Sequence, residues 1–163
     1  ASFGWLQWFN SVTGIYAATT TNDNAVAGAV GEFNTITVAV GSAVSLSTGT
    51  SKTVTALSLT AGDWLLTGQV DYDLTGVTGT LFSSGFSLTA NTLPTQAGGS
   101  GLESDPRVSL PLITAALTST VSQPLKPTRL SIATTTTVYL IANHTFSGGT
   151  SKAYGTLSAR RAR

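Results

Sequence analysis

Cysteine and methionine are both absent from this 163-residue chain. Without thiols it has no disulfide framework, no thiolate metal site and no thiol nucleophile. Histidine occurs once, at His144, so no site can be built from several imidazoles, and no metal or cofactor is expected. Charge is scarce: Asp, Glu, Lys and Arg are 9% of residues and the formal net charge is +1, against about 25% charged residues in an average globular chain. Thr, Ser, Asn and Gly must then carry solubility, or partners must cover much of the surface. Nucleic-acid binding calls for a basic stripe supplying several phosphate contacts. Here the basic residues are scattered except at the last four positions, so nucleic acid is not an expected partner. No apolar run approaches the roughly 18 residues of a membrane span, and the basic head and apolar run of a signal peptide are missing. The opening Ala-Ser fits removal of an initiator Met, which would put residue 1 near the natural terminus; truncation is the alternative.

What the chain does contain begins with aromatics. Residues 1–16, ASFGWLQWFNSVTGIY, hold two of the three Trp residues. Coiled as a helix, they place Trp5, Trp8, Phe9 and Val12 on one side and Gly4, Gln7, Ser11 and Gly14 on the other. So short a helix is marginal alone in water. Its apolar face therefore needs the body of the domain, a neighbouring subunit or another protein surface. The polar face lacks the Lys and Arg of membrane-surface helices. The next residues, 17–31, are small and polar, with Asn22-Asp23-Asn24 as a turn cluster. Residues 1–31 thus form an arm and linker, and residues 32–163 the folded domain.

From Glu32 the pattern turns to period two. Glu32 to Val40, Ala43 to Ser47 and Lys52 to Leu59 are successive strand candidates. Trp64 to Leu74 is the best of them, with Trp64, Leu66, Gly68, Val70 and Tyr72 on one face and Thr67, Gln69, Asp71 and Asp73 on the other. Gly76 and Gly79 bracket a loop before Thr80 to Ala90, where Phe82, Phe86 and Leu88 share a face. Residues 92–106 are irregular. Arg107 to Ile113 is a strand that Pro111 confines to an edge or ends early. A polar stretch with Pro124 and Pro127 leads to Arg129 to Ala133. The final stretch is a hairpin, Thr136 to Phe146 and Ala153 to Arg160, joined through Gly148 and Gly149. Along its first strand Val138, Leu140, Ala142, His144 and Phe146 face one way; Tyr139, Ile141, Asn143 and Thr145 face the other. Both faces carry apolar groups, which suggests a second layer or a second subunit. Eight to ten closely spaced strands and no helix after residue 31 predict an all-β antiparallel sandwich, of the jelly-roll kind.

Two segments carry a family resemblance. LSLTAGDWLLTGQVDYDL (Leu57 to Leu74) and TTTTVYLIANHTFSGGTSKAYGTLSARRAR (Thr134 to Arg163) resemble small virion proteins of tailed phages and prophages. There, an Ala-Gly-Asp-Trp block opening a long strand is paired with a closing Thr-Thr-Val-Tyr-Leu, Ala-Tyr-Gly and Ala-Arg-Arg-x-Arg block. TTTNDNAVAGAVGEF (Thr19 to Phe33) fits the same group, and together these cover about two-fifths of the chain. More distantly, the layout is similar to trimeric complement-globular-head and tumour-necrosis-factor-like heads. The resemblance implies a virion-located homotrimer whose subunits meet through Tyr139, Ile141 and Tyr154. No acidic cluster matches the calcium site of some such heads.

Single residues offer less. His144 lies on the apolar face, which favours a buried, hydrogen-bonded role over catalysis. Asp71 and Asp73, two apart on one strand face, have a spacing compatible with paired carboxylates for glycoside hydrolysis, but they face outward without an evident sugar platform. Asp63 shapes its turn. Arg160, Arg161 and Arg163 form either a solvated tail or an electrostatic dock for an acidic capsid or tail protein. The expected function is that of a non-enzymatic decoration or cement protein on the particle. Phe3, Trp5, Leu6, Trp8, Phe9 and Val12 would dock it to a major capsid, neck or tail protein. The alternative is a receptor-binding knob that recognises a bacterial surface glycan through the loops 75–80 and 92–106.

Overall fold

The computed structural model describes residues 24–94, 102 and 106–163, with 112–115 by backbone alone. The expected helix over residues 1–16, with its docking residues Phe3, Trp5, Leu6, Trp8, Phe9 and Val12, lies outside the described residues. So does most of the irregular segment 92–106.

Among the described residues ten strands follow one another: β1 (Phe33–Val38), β2 (Val44–Ser45), β3 (Lys52–Leu59), β4 (Gly62–Thr75), β5 (Val77–Ser87), β6 (Arg107–Leu117), β7 (Val121–Pro124), β8 (Thr128–Ile132), β9 (Thr136–Ser147) and β10 (Thr150–Arg161). They form two antiparallel sheets, an arrangement consistent with a β-sandwich. In the first, β10 and β4 are central; β1 and β2 take successive stretches of the free edge of β10, and β8 and β7 successive stretches of the free edge of β4. The second runs β3-β9-β5-β6.

Alternation explains which side chains meet between them. Trp64, Leu66, Val70, Tyr72 and Leu74 from β4 and Ala153, Leu157 and Ala159 from β10 are buried in one core with Phe82 and Phe86 from β5 and Val138, Leu140 and Ala142 from β9. The face expected for Trp64 to Tyr72 is the inward one, as is the Val138 to Phe146 face.

The terminal hairpin is not formed. β9 and β10 have nearly the expected bounds, but β9 pairs with β3 and β5, and β10 with β4, β1 and β2. The connection at Gly148 and Gly149, with φ of 66° and 56°, carries the chain from one sheet to the other. Positive φ suits glycine. A Cβ at Gly149 would also overlap the backbone of Thr75 and Gly76, where β4 crosses to β5 in the opposite sense. Two sheet-to-sheet crossings thus abut at one end of the sandwich. A hairpin would have left the inner row of β10 without β4, its twelve-residue partner from Trp64 to Thr75.

Other boundaries moved for local reasons. The loop expected between Gly76 and Gly79 shrinks to Gly76, because Val77 is fully buried and starts β5. Val40 leaves β1 in a short 3-10 turn, Val40–Ser42. The polar stretch expected after Ile113 supplies the end of β6 and the whole of β7, whose Val121 and Gln123 fill the edge of β4. Pro111 lies on β6, which pairs only with β5 among the described strands, so its missing N–H costs no ladder bond on the outer edge.

One position tests the central ladder. Gly155 has φ 148°, and a Cβ there would overlap the Gln69 carbonyl oxygen across the β4–β10 pair. Gly155→Ala is expected to destabilise the fold by about 2–4 kcal/mol in urea unfolding. Gly41→Ala, where a Cβ meets open space, should change it by less than about 0.5 kcal/mol.

Candidate functional site

Glu32, Asp63, Arg129, Arg160, Arg161 and Arg163 gather where the segment from Asn24 joins the sandwich. The Asn24 side chain clamps the start of β1: its Nδ2 donates to the Phe33 carbonyl at 2.7 Å, and its Oδ1 accepts from the Phe33 N–H at 2.8 Å. The turn that follows is tied to the last strand, with Gly31 N–H donating to the Arg161 carbonyl and Arg161 N–H to the Glu32 carbonyl. The side chains repeat the link. Arg161 Nε lies 2.9 Å from Glu32 Oε2, and both side chains are at least nine-tenths buried. Its other nitrogens donate to the Ala61 carbonyl and Thr60 Oγ1, and the guanidinium carbon sits 4.3 Å from the Trp64 ring centroid. Arg161 therefore closes one end of the core, satisfied on its edges by oxygen and on its face by an indole. Glu32 also accepts from Gly28 N–H and Asn34. The Gly28 bond and then the Arg161 contact hold its carboxyl below the usual range, against the opposing effect of burial.

Beside this pair Asp63 receives a forked contact from Arg129, at 2.7 and 2.9 Å, and a second guanidinium from Arg163 at 2.6 Å. Arg129 is the main cause of its lowered pKa. The Asp63 expectation is thus revised: its side chain holds β8 and the chain end together. The docking expectation is corrected for Arg161. Arg161 is buried and paired inside the chain, unavailable to a partner. Arg163 is bonded to Asp63 although its side chain is 75% exposed. Arg160 is exposed, with its guanidinium carbon 5.4 Å from the Phe33 ring centroid.

The interface expectation also changes. Since β9 and β10 lie in different sheets, Tyr139 and Tyr154 are on opposite outer faces, both half-buried. Ile141 points outward from the second sheet, yet is 0% exposed. Pro94 and Pro106 stand over Gly85, the residue paired with it, so the chain itself covers this region. Ile141 cannot contact a second subunit, and the three residues do not form one patch. On the other sheet, Asp71 and Asp73 face outward as expected. Gln69 Nε2 donates to Asp71 Oδ1 at 2.7 Å, and Asp73 is in register with Lys152.

His144 is buried among rings. Phe82 stacks on it at 4.0 Å between centroids and Phe146 at 4.8 Å, with Tyr72 edge-on at 6.0 Å. Nδ1 lies 3.0 Å from Ser151 Oγ, while Nε2 faces Gly79 and has no hydrogen-bond partner. An orphaned lone pair is more readily tolerated than an orphaned N–H, which places the proton on Nδ1, donating to Ser151. Burial lowers its pKa to about 4. Tyr72, the titratable side chain against it, is pushed upward by burial and donates to the Ser83 carbonyl. No nucleophile-base-acid relay is assembled at His144 by the groups around it.

Two outcomes follow. Arg161→Ala leaves a buried carboxylate without its cation and should cost about 3 kcal/mol of unfolding free energy. For His144 the folded pKa is depressed, so the unfolded chain binds the proton more readily. Its stabilising contribution is complete above pH 6.5 and is lost as pH falls towards 4, to a limit of about 3 kcal/mol. Stability measured from pH 6.5 to 4.5 should fall in the parent chain and stay flatter in His144→Leu, whatever that variant's absolute stability. Comparison with protein-family models, with curated proteins and with solved structures gives no match to this chain.

Proposed function

We propose that this chain is a non-enzymatic structural protein of the virion surface, of the decoration or cement type, carried on the particle by its aromatic N-terminal arm. The observation that carries the reading is the anchorage of the segment that follows residues 1–23. Asn24 is hydrogen-bonded to Phe33, and the following turn is bonded through Gly31 and Glu32 to Arg161 of β10. A load on residues 1–23 would therefore pass directly into the central ladder of the first sheet. An aromatic-rich segment joined to a root so fastened suits a protein that holds on to a larger assembly.

The strand order supports the finer fold reading. Taking β1 with β2 and β7 with β8 as single interrupted strands gives eight, in two four-stranded sheets that exchange the chain at each sheet-to-sheet connection. We read that order as a jelly roll. The ionisable groups at the arm's root are engaged in fastening the fold, in keeping with a structural role. A homotrimer is the assembly proposed. Cyclic trimers are joined by heterologous contacts between two different surfaces, so Tyr154 on one copy and Tyr139 on the next would belong to opposite sides of one contact. Capsid, neck or tail proteins are the proposed partners.

A second reading, a knob that binds a host glycan, has one observation in its favour. Tyr154 is in register with Asp71, whose carboxylate is oriented by Gln69, and a ring beside a fixed acceptor suits a sugar.

Deleting residues 1–16 separates the two. The decoration reading expects unchanged thermal unfolding, an unchanged trimer mass by light scattering, and loss of co-sedimentation with phage particles. Retained particle attachment would overturn it. Loss of host adsorption by Tyr154→Ala, with attachment intact, would move the assignment to the knob.

A further inference from the structure

Charge, proline, bulges and shortness are the usual protections of a sheet edge against further pairing. Among the described edge strands, β6 carries Pro111, β7 Pro124 and β8 Arg129, β3 begins at Lys52 and shifts register between Thr53 and Thr55, and β2 is two residues long. β1, Phe33–Val38, has none of these protections. The direction of its backbone groups is fixed from both sides. Arg161 N–H donates to the Glu32 carbonyl, so by alternation Asn34, Ile36 and Val38 turn their amides and carbonyls towards β10. Phe33 turns its own the other way, to the Asn24 side chain. Thr35 and Thr37 therefore aim their N–H and C=O groups off the edge, where β1 has no strand partner among the described residues. The neighbouring positions are already spent: Phe33 on Asn24, and the Ala39 carbonyl on Ser42 N–H. The same stretch gathers exposed apolar groups. Of the seven large hydrophobic residues exposed among the described ones, Val26, Val30, Phe33, Ile36 and Val40 fall here, which singles out this edge. Ile36 shares an inward row with Leu157, yet 37% of it is exposed.

We infer that the free edge of β1 is a docking surface for β1 of a second copy, antiparallel to it and centred on Ile36. In that register Thr35 of one copy and Thr37 of the other exchange two backbone hydrogen bonds, and the twofold axis repeats the exchange. Every outward group of both threonines is then met. Shifting the register either way sets one threonine against Phe33 or Ala39, whose groups are taken, so no other antiparallel register of two copies does the same. Ile36 stands opposite its twin and covers the apolar side that each copy leaves exposed. The occupant must be uncharged and alternate hydroxyl with aliphatic side chains, as this edge does. β1 meets that requirement itself: no charged residue lies between Phe33 and Val40, so two copies bring no like charges together. A stable interface takes about 800 Å² from each partner, more than so short an edge supplies. The register adds apolar area by carrying Val40 of one copy past the turn that holds Val26 and Val30 of the other. This contact is separate from the threefold one proposed above, since a twofold axis joins single chains or trimers alike.

The chain has no cysteine, so a single introduced thiol reports on the contact. Ile36→Cys sets two thiols on a non-hydrogen-bonded pair, with Cα atoms about 4.5 Å apart and within the span of a disulfide. Mild oxidation of the full-length variant should link most of it into covalent dimers on a non-reducing gel. Val40→Cys is the control: it is more exposed, at 55%, but this register holds its two copies beyond disulfide reach, and it should link about tenfold less. Two further variants break the contact without a thiol. Thr37→Pro removes an outward N–H and leaves the ladder to β10 intact, and Ile36→Lys sets like charges opposite one another. Each should halve the mass measured by light scattering, with the circular dichroism of the folded chain retained. Halving from six chains to three supports both contacts; halving from two to one supports this one and overturns the trimer. Absence of linking in Ile36→Cys, as when another polypeptide or another segment of the chain holds the edge, would overturn the inference. So would equal linking in Val40→Cys, or an unchanged mass in both edge variants.

Discussion

The antiparallel ladder between β4 and β10 is the constraint on which the rest depends. It pairs every residue from Thr150 to Arg161 with one from Thr75 back to Trp64. Its inner side supplies Trp64, Leu66, Val70, Tyr72 and Leu74 opposite Ala153, Leu157 and Ala159, large against small, so the two strands fill one side of the core without crowding. Each end is closed by a different device. At Thr75 and Thr150 the two sheet crossings abut, with Gly149 against the Thr75 and Gly76 backbone. At Trp64 and Arg161 a guanidinium is set against an indole and bonded to Glu32, which fastens the segment leading to the arm.

This arrangement accounts for how a chain with so little charge uses it. Buried ion pairs gain little net stability over apolar packing, because desolvation offsets attraction, yet losing one partner is costly. Arg161, Glu32 and Asp63 sit where backbone ends meet, so their pairing fixes which segments come together. His144 follows the same logic without charge. Stacked between Phe82 and Phe146, it is held neutral and acts as an aromatic filler with one polar tether to Ser151.

The two outer faces are unequal. Over β5 and β9 the chain covers its own sheet, burying Ser83, Gly85, Ser87 and Ile141. Among the described residues no segment covers the β4–β10 face, which is lined by hydroxyls, an amide, two carboxylates and one row of arginines and apolar side chains. At one end of that face Asn24 is bonded to Phe33, where the described chain begins.

Local pattern alone determined much of this protein. Period-two alternation located eight of the ten strands near their final bounds and assigned the inward rows of β4 and β9, because side-chain direction in a strand depends only on position along it. It also made His144 a core residue. Alternation failed where a strand was short and polar, as at β7, or where glycines looked like a loop, as at Gly79. Which strand paired with which was decided only in three dimensions. Gly148-Gly149 reads equally well as a hairpin turn or a crossing between sheets, and only the match of β10 to β4 selects the crossing. That selection separated Tyr139 from Tyr154. It also drew Arg161 out of a seemingly solvated tail to meet Glu32, 129 residues earlier, since a charge's partner is set by the whole fold and not by its neighbours in sequence.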